Sequence, residues 1–201
     1  MSYCRRVAAL LPVFAILFSG LWSSELRAQS CPQVLGAATR LVVVKTAGWS
    51  SVPANIQRYE RATPAEAWRP NGVALPGVVG LTGMGWAWSF EAAAKPGEPI
   101  KREGDKRTPA GIFSIGHGFG TAAGGPRRHL KLAAETSYCV DDVRSPAYNT
   151  IVPMSSVPAG TSGEKMWSEP LYKRGIFIDL PSNAAAKGGS CVFLHLWRSA
   201  G

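Results

Sequence analysis

Residues 191–197 read CVFLHLW, a short apolar run interrupted by one histidine. Strand alternation places Cys191, Phe193, His195 and Trp197 on one face and Val192, Leu194 and Leu196 on the other. Similar runs, β-branched or apolar and closed by Gly, Pro or Asn, lie upstream as RLVVVKTAGW (40–49), GVALPGVVG (72–80), GIFSIG (111–116) and GIFIDLP (175–181). Each reads as a strand followed by a turn. Helical periodicity is sparse beyond the first thirty residues, and 22 glycines and 15 prolines suit long connections. The expected fold is therefore one mainly β domain with at most one or two short helices. One helix is expected over Gly163–Tyr172, capped by Ser162, with Met166 and Leu171 facing inward.

A composition of 46% hydrophobic and 17% charged residues belongs to a globular chain. Residues 1–28 stand apart. Arg5 and Arg6 precede an apolar stretch from Val7 to Phe18, and small and polar residues follow to Ala28. This is the pattern of a secretory signal, since the stretch contains Pro12 and falls short of the roughly 20 residues a spanning helix needs. Ordinary secretion ranks above a twin-arginine route or a lipid anchor on Cys31. Residues 29–201 then form the mature domain, exported to the periplasm or cell envelope. Cleavage removes three basic residues and one acid, so the net charge of +9 falls to +7. No nucleic-acid-binding motif accompanies that charge, so an anionic envelope polymer is the expected partner, with no nucleic acid and no membrane once the signal is cut.

Cys4 leaves with the signal, while Cys31, Cys139 and Cys191 remain. Thiols outside the cytoplasm tend to pair. Three is odd, so one is left over or a fourth is missing, and the sequence does not choose the pairing. Cys191 reads as a structural thiol, bonded to Cys139 or to Cys31. It is not a partner for His195, because a base must come within about 3 Å of the proton it takes, and four residues of strand span roughly 13 Å. His117, His129 and His195 lack zinc-site spacing, and GHGFG (116–120) lacks the lysine and hydroxyl residue of a phosphate loop. No metal or other cofactor is expected. A lone histidine on an apolar strand is ordinarily a hydrogen-bonded core residue. His195 differs in lying at the carboxyl end of its run, beside Trp197 and Arg198, where the strand opens to solvent. In KREGDKRTPAGIFSIG (101–116), charged residues precede Thr108-Pro109-Ala110-Gly111, which reads as a turn with Pro109 second and Gly111 fourth.

Three segments occur in order: KREGDKRTPAGIFSIGHGFG (101–120), YCVDDVRSPAYNTIV (138–152) and GSCVFLHLWR (189–198). Together they resemble the L,D-transpeptidase catalytic-domain family, in its branch of short exported proteins, from about Cys31 to the end of the chain. The resemblance implies a mainly β sandwich of mixed strands and a cysteine acyltransferase acting on peptidoglycan. In that chemistry a thiolate attacks the carbonyl of the third residue of a tetrapeptide stem, usually diaminopimelate. Terminal D-alanine leaves, and an amine of a neighbouring stem resolves the thioester. A base must ionise the thiol, and backbone N–H groups must face the oxyanion. His195, in FLHLW, matches the family's base. The family's nucleophile follows in a Gly-Cys pair beyond a short loop. The sequence ends at Gly201 without a match to it, which reads as a truncation after a central apolar strand, and no turnover is expected from these residues alone.

Within that resemblance, Lys101, Arg102, Lys106 and Arg107 either meet stem carboxylates or form a solvated face, the usual fate of a charge run. Asp141 and Asp142 are expected to cap a turn rather than to hold a stem amine. Trp86 and Trp88, alternating on one face, fit core packing or a sandwich edge better than a groove. The expected function is an exported L,D-transpeptidase-like enzyme of bacterial cell-wall synthesis, a monomer acting on peptidoglycan stem peptides. The alternatives are a wall-binding protein of the same fold without the chemistry, and a thiol peptidase or amidase in which water resolves the thioester.

Overall fold

A computed structural model describes residues 35–122, 129–181 and 184–197. Residues 1–28, expected to be a signal segment, and Cys31 lie outside them. The strands are β1 (Arg40–Thr46), β2 (Pro53–Glu60), β3 (Arg69–Pro70), β4 (Leu75–Val78), β5 (Met84–Trp86), β6 (Thr108–Ala110), β7 (Ser114–Gly120), β8 (His129–Lys131), β9 (Ser137–Val140), β10 (Ile151–Pro153), β11 (Gly163–Lys165), β12 (Gly175–Asp179) and β13 (Phe193–His195). Short 3-10 segments occur at Trp88–Ala93, Met154–Ser156 and Pro170–Lys173, and no α-helix forms among the described residues. The protein is mainly β, as the alternation of short apolar runs with Gly and Pro predicts.

Strands β1, β2 and β3 form one sheet, with β4 also paired to β2. A second sheet runs β10-β9-β11, a third β13-β12-β7-β8, and β5 and β6 make a two-stranded ribbon. Pairing is antiparallel except for β5 with β6 and β7 with β8, so the strands are mixed. The core lies where the second and third sheets meet. Phe119 on β7, Phe177 on β12 and Cys139 on β9 are buried together with Leu132, Met166 and Tyr172, and Ile151, Cys191 and Phe193 pack against them. A disulfide joins Cys139 to Cys191, with Cα atoms 6.0 Å apart, and ties the two sheets together.

Several local expectations change. Residues 163–172 are not a helix. Gly163–Lys165 is a strand paired to β9, and only Pro170–Lys173 coils, as a 3-10 turn whose Leu171 N–H donates to the Glu169 side chain at 2.9 Å. The side chain of a capping carboxylate satisfies a backbone donor there, as at a helix start. Met166 is buried as expected, whereas Leu171 is only half-buried. Thr108–Ala110 is strand β6 rather than a turn; Pro109 is tolerated because this short strand lies in a two-stranded ribbon, where its missing N–H breaks no central ladder. Trp86 ends β5 while Trp88 begins a 3-10 segment, so the two share no strand face. In the run at 191–197 only Phe193–His195 is strand. Cys191 has φ of 53°, a left-handed conformation that takes it out of the alternation. Strand β13 also lies at the edge of its sheet, not at its centre.

Candidate functional site

The cross-strand row that carries His195 explains its setting. His195 lies opposite Gly175 on β12, and Gly175 lies opposite Phe119 on β7. A Cβ at Gly175 would collide with the Phe119 ring. Lacking one, Gly175 lets that ring lie across β12 and reach Phe193, 4.9 Å between centroids. Phe193 and His195 share a face of β13, as alternation predicts, and the aromatic floor beneath the histidine is continuous with the core.

Tyr172 completes the wall. It sits in the 3-10 turn capped by Glu169, and its carbonyl accepts from the Thr121 N–H at 3.1 Å. Gly120 makes that approach possible, since any side chain there would meet the Lys173 carbonyl. The Tyr172 ring meets His195 edge-on, with centroids 4.9 Å apart and planes at 89°. Its hydroxyl donates to Glu164 Oε1 at 2.9 Å. Glu164 is on β11 directly opposite Cys139, which turns an acidic side chain toward the rim of the core. Burial pushes the Glu164 carboxyl above its ordinary value, opposed by the Tyr172 hydrogen bond. Burial, reinforced by Glu164, pushes the Tyr172 phenol up as well, so it stays a neutral donor.

The imidazole itself is exposed, as are Leu196 and Trp197 after it. This agrees with a strand opening to solvent at its end, not with a core histidine. His195 Nδ1 lies 2.6 Å from the Leu196 carbonyl oxygen. A carbonyl can only accept, so Nδ1 carries the proton and the neutral ring presents Nε2 as an unprotonated acceptor. Such a nitrogen is equipped to take a proton from a group approaching out of solvent.

The other candidates separate. Cys139 and Cys191 are bonded to each other, so neither is a thiol. Cys191 is structural, as expected, and the pairing left open by the sequence is with Cys139. The segment before β13 is fastened by the charged loop at 101–107. Glu103 accepts from the Tyr148 hydroxyl and from Ser190 Oγ, and its N–H donates to the Lys187 carbonyl at 2.7 Å. The Cys191 N–H donates to Asn149 Oδ1 at 2.9 Å. Lys101 is buried and paired with Asp105 at 2.7 Å. Arg107 donates to the carbonyls of Met84 and Trp49 at 2.8 and 3.2 Å, and Arg102 pairs at the surface with Glu91 at 3.1 Å. The cations at 101–107 are therefore not one solvated face: two of them are internal cross-links.

Asp142 caps a turn, as expected, whereas Asp141 instead bonds across to Ser162. Asp142 accepts from the Arg144 N–H and guanidinium, and that side-chain hydrogen bond lowers its carboxyl to about 2. Asp141 accepts from Ser162 Oγ. Trp86 donates its indole N–H to Glu98 at 2.7 Å and stacks obliquely on Trp49. His117 lies flat on Phe177, 5.4 Å between centroids, and His129 Nε2 is buried without a hydrogen-bond partner. Among the described residues no group of three or more His, Cys, Asp or Glu could hold a metal ion, and no helix is long and apolar enough to cross a membrane. Two open clefts have other linings. One, of about 370 Å³, is bounded by Arg40, Glu60, Arg61 and Arg69, and the other, of about 560 Å³, by Thr121, Lys131, Leu132 and Trp167.

Glu164, Tyr172 and Glu103 are the residues sequence reasoning missed. Nothing in GEKMW or EPLYK marks an acid and a phenol that meet across strands. Comparison of the chain with protein-family models, with curated proteins and with solved structures finds no match.

Proposed function

We propose that this protein is an exported L,D-transpeptidase-like acyltransferase of the bacterial cell wall, with His195 as the base that ionises a cysteine thiol. The observation that carries the reading is the state of the imidazole. It is exposed at the end of an edge strand, its Nδ1–H is held by the Leu196 carbonyl, and its Nε2 is left as an acceptor. With one ring nitrogen held by a carbonyl, the other is free to take a proton from a thiol. The donor substrate is a tetrapeptide stem of peptidoglycan, which loses D-alanine on forming the thioester. The thiol is supplied by polypeptide outside the described residues, since the two cysteines within them are bonded together.

The test is to incubate the full-length protein with tetrapeptide muropeptides and follow released D-alanine and new cross-links by mass spectrometry. Release of D-alanine with cross-linked product supports the reading, and release without cross-links assigns water as the acceptor. The engaged state of Cys139 and Cys191 favours a second reading, a wall-binding protein without chemistry. Sedimentation with purified sacculi but no D-alanine release selects it.

A further inference from the structure

Among the described residues, β1 is the longest strand with no strand paired along one side. It ends its sheet, with β2 on the other flank. The register Arg40↔Glu60 to Thr46↔Ala54 continues to Thr39 and Arg61, where the Arg61 N–H donates to the Thr39 carbonyl at 3.0 Å. Directly opposed residues that exchange hydrogen bonds alternate along an antiparallel pair. Leu41, Val43 and Lys45 therefore turn their backbone groups toward β2, and Arg40, Val42, Val44 and Thr46 turn theirs outward. The far side of β2 obeys the same parity, because the Val79 N–H donates to the Val52 carbonyl within the β2–β4 register. The outward N–H and C=O groups of β1 have no hydrogen-bond partner among the described residues.

Other free edges are blunted in the usual ways. Strand β4 contains Pro76, β3 is two residues ending in Pro70, and β8, β10, β11 and β13 are three residues each. Strand β1 has seven residues, RLVVVKT, with neither Pro nor Gly. Leu41 and Val43 on one face and Val42 and Val44 on the other are all only half-buried. The edge offers both a hydrogen-bonding row and apolar side chains on both faces.

We propose that β1 pairs with β1 of a second copy of this chain, antiparallel about a two-fold axis through Val43. Only an even register lets outward residues face outward residues, and among the even registers the one centred on Val43 uses the whole strand. It sets Val42 against Val44 and Arg40 against Thr46 of the second copy, with each of these pairs exchanging both backbone bonds. It also sets Lys45 against Leu41, so no like charges stand directly opposed. The same patch on both copies is self-complementary, the condition for a closed two-fold dimer. A monomer is expected from the sequence; the unpaired edge and its parity are the grounds for proposing otherwise. The inference is independent of the proposed chemistry at His195.

The test combines mass and cross-linking on the whole chain in a Cys4→Ser, Cys31→Ser background. Sedimentation equilibrium is expected to give the mass of two chains, reverting to one in Val42→Pro, which removes an outward N–H that β2 does not use, with circular dichroism unchanged. Val43→Cys places two sulfurs across the axis, in a non-hydrogen-bonded pair about 4.5 Å apart at Cα, within disulfide range. It is expected to yield a covalent dimer on mild oxidation, whereas Lys45→Cys is not. Should Val42→Pro fail to fold, the two cysteine variants decide alone. A single-chain mass up to the highest soluble concentration overturns the proposal, as does a dimer that Val43→Cys fails to cross-link. So does a dimer that a folded Val42→Pro variant leaves intact.

Discussion

Tyr172 turns the edge of its ring to the imidazole of His195, 4.9 Å between centroids and 89° between planes. Because the Tyr172 hydroxyl is committed to Glu164, that edge is held in place. The Leu196 carbonyl holds Nδ1 from another side. Two restraints from unrelated parts of the chain therefore orient one exposed ring. Tyr172→Phe keeps the ring and deletes the hydroxyl, leaving the Glu164 carboxylate without its donor. Glu164 is half-buried, so water replaces part of that bond and the cost is expected at the low end of the about 1–3 kcal/mol of a fully buried acceptor. Urea unfolding at neutral pH is expected to show a loss of that size, and an unchanged midpoint would show that Glu164 has another partner.

Glu164 makes stability depend on pH. Burial raises its carboxyl above 4.5, so the folded protein holds this proton more tightly than the unfolded chain does. Its contribution is most favourable below the unfolded value and declines as pH rises from 4.5 through the raised folded value. Asp142, lowered to about 2, runs the other way: its contribution is present above the unfolded value of 3.8 and is lost as pH falls through about 2. Glu164→Gln should flatten the decline on the mildly acidic to neutral side and leave the acid limb untouched. Unfolding midpoints measured across that range for both proteins check it; parallel curves would contradict the assignment.

The Cys139–Cys191 bond closes a loop with a sequence separation of 52. Constraining that much of the unfolded chain is worth about 4 kcal/mol in the chain-entropy picture. Cys139→Ala with Cys191→Ala, or reduction of the native protein, is expected to lower stability by about that amount in urea titrations. It is also expected to shift the His195 imidazole resonances, since Cys191 leads directly into β13. Coincident curves with and without reductant would mean that the hydrogen bonds of Glu103 and Asn149 suffice to hold the segment.

Asp105 and Arg102 should separate a buried charge pair from an exposed one. Removing Asp105 strands the buried Lys101 ammonium, and breaking such a pair costs about 3–5 kcal/mol. Arg102 and Glu91 are each nearly half exposed, with side-chain exposures of 44% and 46%, so Arg102→Ala is expected to cost at most about 1 kcal/mol. Thermal melts of the two variants compare them directly; equal losses would refute the division.

What could be read from the letters was local. Period-two alternation located the apolar runs and put Phe193 with His195 on one face. It could not see that Cys191 adopts a left-handed backbone, because the disulfide to a strand 52 residues away and the Asn149 side chain hold it there. Lys101 and Arg107 look like any solvated cations until the fold surrounds them with Asp105 and the carbonyls of Met84 and Trp49. A helix over 163–172 fails because β9 takes Gly163–Lys165 as a ladder partner, a choice made by tertiary pairing rather than by propensity. The Glu164–Tyr172–His195 chain draws on three separate elements and leaves no spacing signature.

Acyl-enzyme trapping tests the role of the imidazole most directly. The full-length protein is mixed with a tetrapeptide stem, quenched in acid and weighed intact by mass spectrometry, beside its His195→Ala variant. The account predicts a cysteine-linked adduct of the stem lacking D-alanine on the parent protein and a loss of its rate of formation by about 100-fold or more in the variant. Adduct formation at the same rate in both proteins would contradict it.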